Sequence, residues 1–140
     1  MSAFIISFES CKKNNTKQNT NIAGSIIGNW ELRQTSAAMN PNPKNYTPGN
    51  GNILKFTDTN YETFANGVLV KKGQYAITSD ATVETNVCLV FSNGQFANRI
   101  IWDTAYNTPK IFIQISADKL TFISGCYAYD AGHSEEYQKQ

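Results

Sequence analysis

From residue 28 onward, apolar and polar side chains alternate with a period of two, and turn residues break the pattern at short intervals. That is the signature of half-buried strands. Trp30 and Leu32 alternate with Asn29, Glu31 and Arg33, which predicts a first strand with one buried face. Residues 37–51 hold Pro41, Pro43, Pro48, Gly49 and Gly51, and predict a long irregular loop. Further strands are predicted over 53–56, 61–64, 68–77, 83–91, 96–102, 111–115 and 120–123, with 136–138 closing the sheet. The turns between them are 58–60, Asn66-Gly67, Asn93-Gly94, 107–109 and Ala117-Asp118. Asn66-Gly67 is the strongest hairpin signal, because both residues tolerate positive φ. Gly73 marks a bulge or bend in its strand.

The result is eight or nine strands and no helix. Short meandering connections make sequence neighbours sheet neighbours. Closing the strands into an antiparallel up-and-down barrel removes the exposed edges that an open sheet would leave. A two-sheet sandwich is the rival all-β arrangement, but it calls for longer crossovers than the single long loop seen here.

Composition agrees with a globular chain: 41% of the 140 residues are hydrophobic and 16% charged. A formal net charge of +1 makes no electrostatic case for nucleic acid. No apolar stretch reaches the length of a transmembrane helix. The lone His133 stands near Asp130 and Cys126, yet these lie in one local stretch and make a weak Cys-His pair. No Cys/His cluster has zinc spacing, and Pro48-Gly49-Asn50-Gly51 lacks the Lys-Ser/Thr of a phosphate loop. Glu62, Asp103 and Glu136 show no catalytic pairing. These features predict no enzyme, no metal and no cofactor.

The N-terminus carries a different message. A short apolar run over 1–8 leads to Ser10 and Cys11, and residues 12–21 are polar and tether-like. This resembles the leaders of bacterial lipoproteins, particularly the loose ones of the Bacteroidota, with the true start lying upstream. The resemblance implies a lipidated Cys11, a tether over 1–21, a domain over 22–140 and a place in the bacterial cell envelope, at the outer membrane. Acyl chains anchor by about 0.8 kcal/mol per buried methylene. Cys88 and Cys126 then remain as an even pair, either one disulfide in an oxidising space or two buried thiols.

Gly28-Asn29-Trp30 at the head of the meander resembles the Gly-x-Trp opening motif of lipocalins. Leu32, the segment from Pro41 to Gly51, the strand from Ile53 to Asp58, and the stretch 120–126 have the look of small lipocalin-like domains of bacterial lipoproteins. The long helix that usually follows the barrel and a clean Thr-Asp-Tyr motif are missing. The resemblance implies a barrel closed at one end by Trp30, with Arg99 stacked on that ring. It also implies a membrane-tethered protein that binds a small hydrophobic or amphipathic ligand.

An eight-stranded barrel is just wide enough to be filled by side chains or to hold one small ligand. Inward positions of the alternating strands would line such a space: Leu54, Phe56, Tyr75, Ile77, Leu89, Phe91, Trp102, Ile113 and Phe122. Tyr61, Gln114 and Arg99 would supply convergent polar groups. Met39 and Tyr46, on the long loop, would form a lid over one mouth. The alternative is a tethered interaction module, an inhibitor or accessory subunit. In it a packed barrel presents the 37–51 loop, or Tyr127 and Tyr129, to a protein partner.

Overall fold

The computed structural model describes residues 25–105 and 109–140. The strands are β1 (Gly28–Ala37), β2 (Asn40–Asn45), β3 (Ile53–Phe56), β4 (Asn60–Ala65) and β5 (Val68–Ser79). A short helix α1 (Val83–Val87) follows, then β6 (Asn98–Trp102), β7 (Ile111–Ser116), β8 (Lys119–Ser124) and β9 (His133–Lys139). Strands β1, β3, β4, β5, β6, β7, β8 and β9 pair in that order, all antiparallel. The sheet closes where β9 returns to β1, from Trp30 opposite Lys139 to Ala37 opposite His133. The chain is therefore an eight-stranded up-and-down barrel with β2 as an added ninth strand.

The turn chemistry works as the sequence predicts at β4–β5, where Asn66 (φ 50°) and Gly67 (φ 79°) take the left-handed conformations of a tight hairpin. Two stretches differ from expectation. The first is β2, which forms inside the proline-rich segment 37–51 by pairing with the outer half of β1. The Tyr46 N–H donates to the Arg33 carbonyl at 2.8 Å, so alternation turns the nitrogen of Pro43 away from β1. A proline there loses no ladder bond, which is why an edge strand tolerates it.

The second difference is 83–91, which forms α1 and a loop rather than a strand. Val83 and Val87 are four residues apart and bury one face of a single helical turn. With Phe96 they cover the outward-facing Phe112 of β7 and Ile123 of β8, and Phe91 and Tyr127 flank this second core. Apolar residues on both faces explain the nearly unbroken hydrophobic runs of β7 and β8. Cys88 caps the helix in the left-handed region (φ 60°) and is bonded to Cys126, with Cα atoms 5.0 Å apart. Of the two readings left open for these cysteines, the disulfide is the correct one.

The main core fills the barrel. Trp30 is fully buried at the end where β1 begins, and its Nε1 donates to the Ile26 carbonyl at 2.6 Å. Ile26, Phe56, Ile113 and Leu120 pack in the same cluster, sealing this end. The ring of Trp30 is covered by Lys139, with Nζ 5.2 Å from the ring centroid, and not by Arg99. Arg99 alternates with the inward Asn98 and Ile100, so it faces out of the barrel, where its Nε lies 3.4 Å from Asp80. Glu31 is buried on the outer face of β1, bonded by Arg33. Burial works against its charge, but Arg33 and the Gly51 and Gly49 N–H groups outweigh it and hold its pKa below the usual value. The 46–52 loop is tied down through this carboxylate.

Candidate functional site

At the other end the barrel does not fill. A cavity of about 290 Å³ opens there, lined by Leu54, Tyr61, Thr63, Lys71, Trp102, Ile111, Phe122, Ser124, His133, Glu135 and Tyr137. Strand alternation places each of them. β9 sends His133, Glu135 and Tyr137 inward at successive two-residue steps, and β4 sends Tyr61 and Thr63.

The deep wall is aromatic. Trp102 meets Tyr61 edge-on at 4.6 Å between centroids, stacks against Phe56 at 5.9 Å and touches Phe122 at 6.0 Å. Phe122 in turn meets Tyr137 at 5.7 Å. Such pairs contribute about 0.5–1.5 kcal/mol each beyond their buried area, so this wall is stiff.

Two polar clusters stand above it. In one, Tyr61 donates its hydroxyl to Asp103 Oδ2 at 2.8 Å, and Lys71 Nζ lies 3.3 Å from the same oxygen. Asp103 Oδ1 accepts the Gln74 N–H at 3.0 Å. A Cβ on Gly73 would overlap Asp103 Oδ1, so β5 needs glycine where the carboxylate crosses it. The Tyr61 hydroxyl bond, with help from the Gln74 N–H and Lys71, holds Asp103 below the usual carboxylate range. Lys71 is pushed up by Tyr61 and Asp103 and also lies over the Tyr61 ring at 5.5 Å. In the second cluster, the Tyr137 hydroxyl donates to Glu135 Oε2 at 2.8 Å, and His133 Nε2 is 3.3 Å from Oε1. Burial first, then the charge of Glu135, makes the Tyr137 phenol strongly resistant to ionisation.

Of the residues singled out in the sequence, the cavity brings together Leu54, Tyr61, Trp102 and Phe122. Phe56 and Ile113 lie buried beneath it, and Tyr75 and Ile77 are half-buried against the same core. The Tyr75 hydroxyl donates to the Thr57 carbonyl at 2.7 Å. Gln114 points out of the barrel, where its Oε1 accepts the Phe96 N–H at 2.9 Å. Leu89 and Phe91 are corrected: they follow α1, outside the barrel, and Phe91 belongs to the second core. Arg99 is on the outer face, as described. Met39, at the β1–β2 turn, is 78% exposed, and Tyr46 follows β2 with the Lys44 Nζ 4.9 Å from its ring; neither lines the cavity. Gly28 begins β1. Cys11 lies outside the described residues.

The alternation missed Thr63, Lys71, Ile111, Ser124, His133, Glu135 and Tyr137. In β9 the signal was the period-two spacing of His133, Glu135 and Tyr137, hidden because only Tyr137 is an apolar type. Cys126 is in the disulfide and offers no thiol beside His133. Among the described residues, no group of three or more His, Cys, Asp or Glu is placed to hold a metal ion. No helix among them is long and apolar enough to cross a membrane.

Comparison of the chain with models of known protein families, with curated proteins and with solved structures finds no match.

Proposed function

We propose that this domain binds one small amphipathic or hydrophobic molecule in the open end of its barrel, as a lipocalin-like carrier held at a bacterial envelope membrane through Cys11. The observation that carries the reading is the asymmetry of the barrel. One end is sealed by Trp30 and its neighbours, and the other opens on a cavity of about 290 Å³ with an aromatic wall and a polar rim. That volume stands at the small end of the range of about 300–1,000 Å³ for ligand sites. Apolar depth with a few convergent polar groups is the usual makeup of such sites. The Cys88–Cys126 bond supports an oxidising compartment, and with it an address outside the cytoplasm.

A native mass spectrum of the full chain, purified from an oxidising periplasm, tests the reading. The expected result is extra mass that disappears on denaturation, with loss of that mass when Ser124→Trp fills the cavity. A bare polypeptide that also takes up no added amphiphile would overturn it.

The interaction-module reading has its own observation. Val68 (65% exposed), Val70 (59%) and Tyr129 (83%) stand free around the open end. Under that reading Ser124→Trp leaves function intact, whereas Val68→Ser with Val70→Ser removes it.

A further inference from the structure

The charges already present in the cavity select among amphipathic ligands. Among the described residues Lys71 is the one lysine lining it, and its Nζ sits 3.3 Å from Asp103 and over the Tyr61 ring. Asp103 is held in turn by the Tyr61 hydroxyl and the Gln74 N–H. An anionic head group at Lys71 would stand beside the Asp103 carboxylate, which opposes it. Glu135 is different. Its partners are the Tyr137 hydroxyl and the His133 imidazole. Lys71 is thus paired with Asp103, whereas among the described residues no lysine or arginine pairs with Glu135.

Each oxygen of Glu135 has one hydrogen-bond partner and room for a second. The rings of Tyr137, Phe122, Trp102 and Tyr61 line the same cavity, and aromatic faces attract cations. The wall already carries one ammonium, that of Lys71 over Tyr61. We infer that the ligand is a small organic cation, an ammonium head on an apolar body. The head sits at Glu135 among the aromatic faces, and the body reaches Leu54, Ile111 and Phe122. This inference rests on the binding function proposed above and names the ligand class of the same cavity.

Three probes of equal chain length separate the head group from the cavity: octylammonium, octanoate and octanol, titrated calorimetrically into the full chain at neutral pH. Octylammonium is expected to bind at least about tenfold more tightly than octanoate, the size of effect one well-placed charge gives. Glu135→Gln, nearly isosteric, is expected to remove that preference, bringing the octylammonium and octanoate affinities together. Lys71→Met provides a second variant: it leaves the Asp103 carboxylate unpaired and should strengthen octylammonium.

Equal or tighter binding of octanoate would overturn the inference, as would weaker octylammonium binding in Lys71→Met or an unaltered octylammonium affinity in Glu135→Gln. In each of those cases the cavity still binds an amphiphile, and the carrier reading stands. Failure of all three probes to bind would overturn both.

Discussion

Removing the disulfide should destabilise the protein without closing the cavity. Cys88 and Cys126 are 38 residues apart, and tying such a loop in the unfolded chain stabilises the fold by about 4 kcal/mol in the chain-entropy model. The bond joins the end of α1 to the segment after β8, outside the barrel. The double variant Cys88→Ser, Cys126→Ser therefore acts on the second core of Val83, Val87, Phe96, Phe112 and Ile123. Urea unfolding should show a loss approaching 4 kcal/mol, a fall in Tm of roughly 15 °C for a domain of this size. Hydrogen exchange should quicken most across 80–97, where local opening adds to the fall in global stability. A loss below about 1 kcal/mol would refute the reasoning, since it would mean that the unfolded chain gains little freedom from the missing link.

Three further outcomes follow from the packing and the charges. Trp30→Ala deletes a fully buried ring and its 2.6 Å bond to Ile26, and should cost about 4 kcal/mol in chemical unfolding. Asp80 works against its own burial, but Lys110 at 2.8 Å and the Thr82 hydroxyl and N–H lower its pKa to about 2. A depressed carboxylate pKa stabilises the fold above the unfolded value of 3.8, and the benefit is lost as pH falls from there through about 2. Asp80→Asn should thus remove about 2 kcal/mol at neutral pH and flatten stability between pH 4 and 2. Gly73→Ala puts a methyl group on the Asp103 carboxylate and should cost about 1–3 kcal/mol while displacing Lys71 from the Tyr61 ring, visible as a shifted Tyr61 resonance.

The barrel was legible because local signals and tertiary structure agree over most of it. Asn66-Gly67 fixes a hairpin, and Leu54, Phe56 and Phe122 mark inward faces that the fold uses. β2 was hidden because prolines usually remove ladder donors, and only its place at an edge makes Pro43 harmless. The helix was hidden because Val83 and Val87 are β-branched, and five residues are too few to show a helical period against strand-forming neighbours. The aromatic half of the cavity could be read from alternation. The polar half could not, because Lys71, His133 and Glu135 are residue types usually found facing solvent, and only the barrel's closure turns them toward one space.

The central claim is that the open end of the barrel is a binding site. It is tested most directly by NMR of isotope-labelled full-length protein titrated with octylammonium. The account predicts shifts at the Leu54 and Ile111 methyls and the Trp102 indole, with Val83 and Val87 unmoved. Shifts confined to Val68 and Val70 on the β4–β5 hairpin, or none with octylammonium, octanol or octanoate, would overturn it.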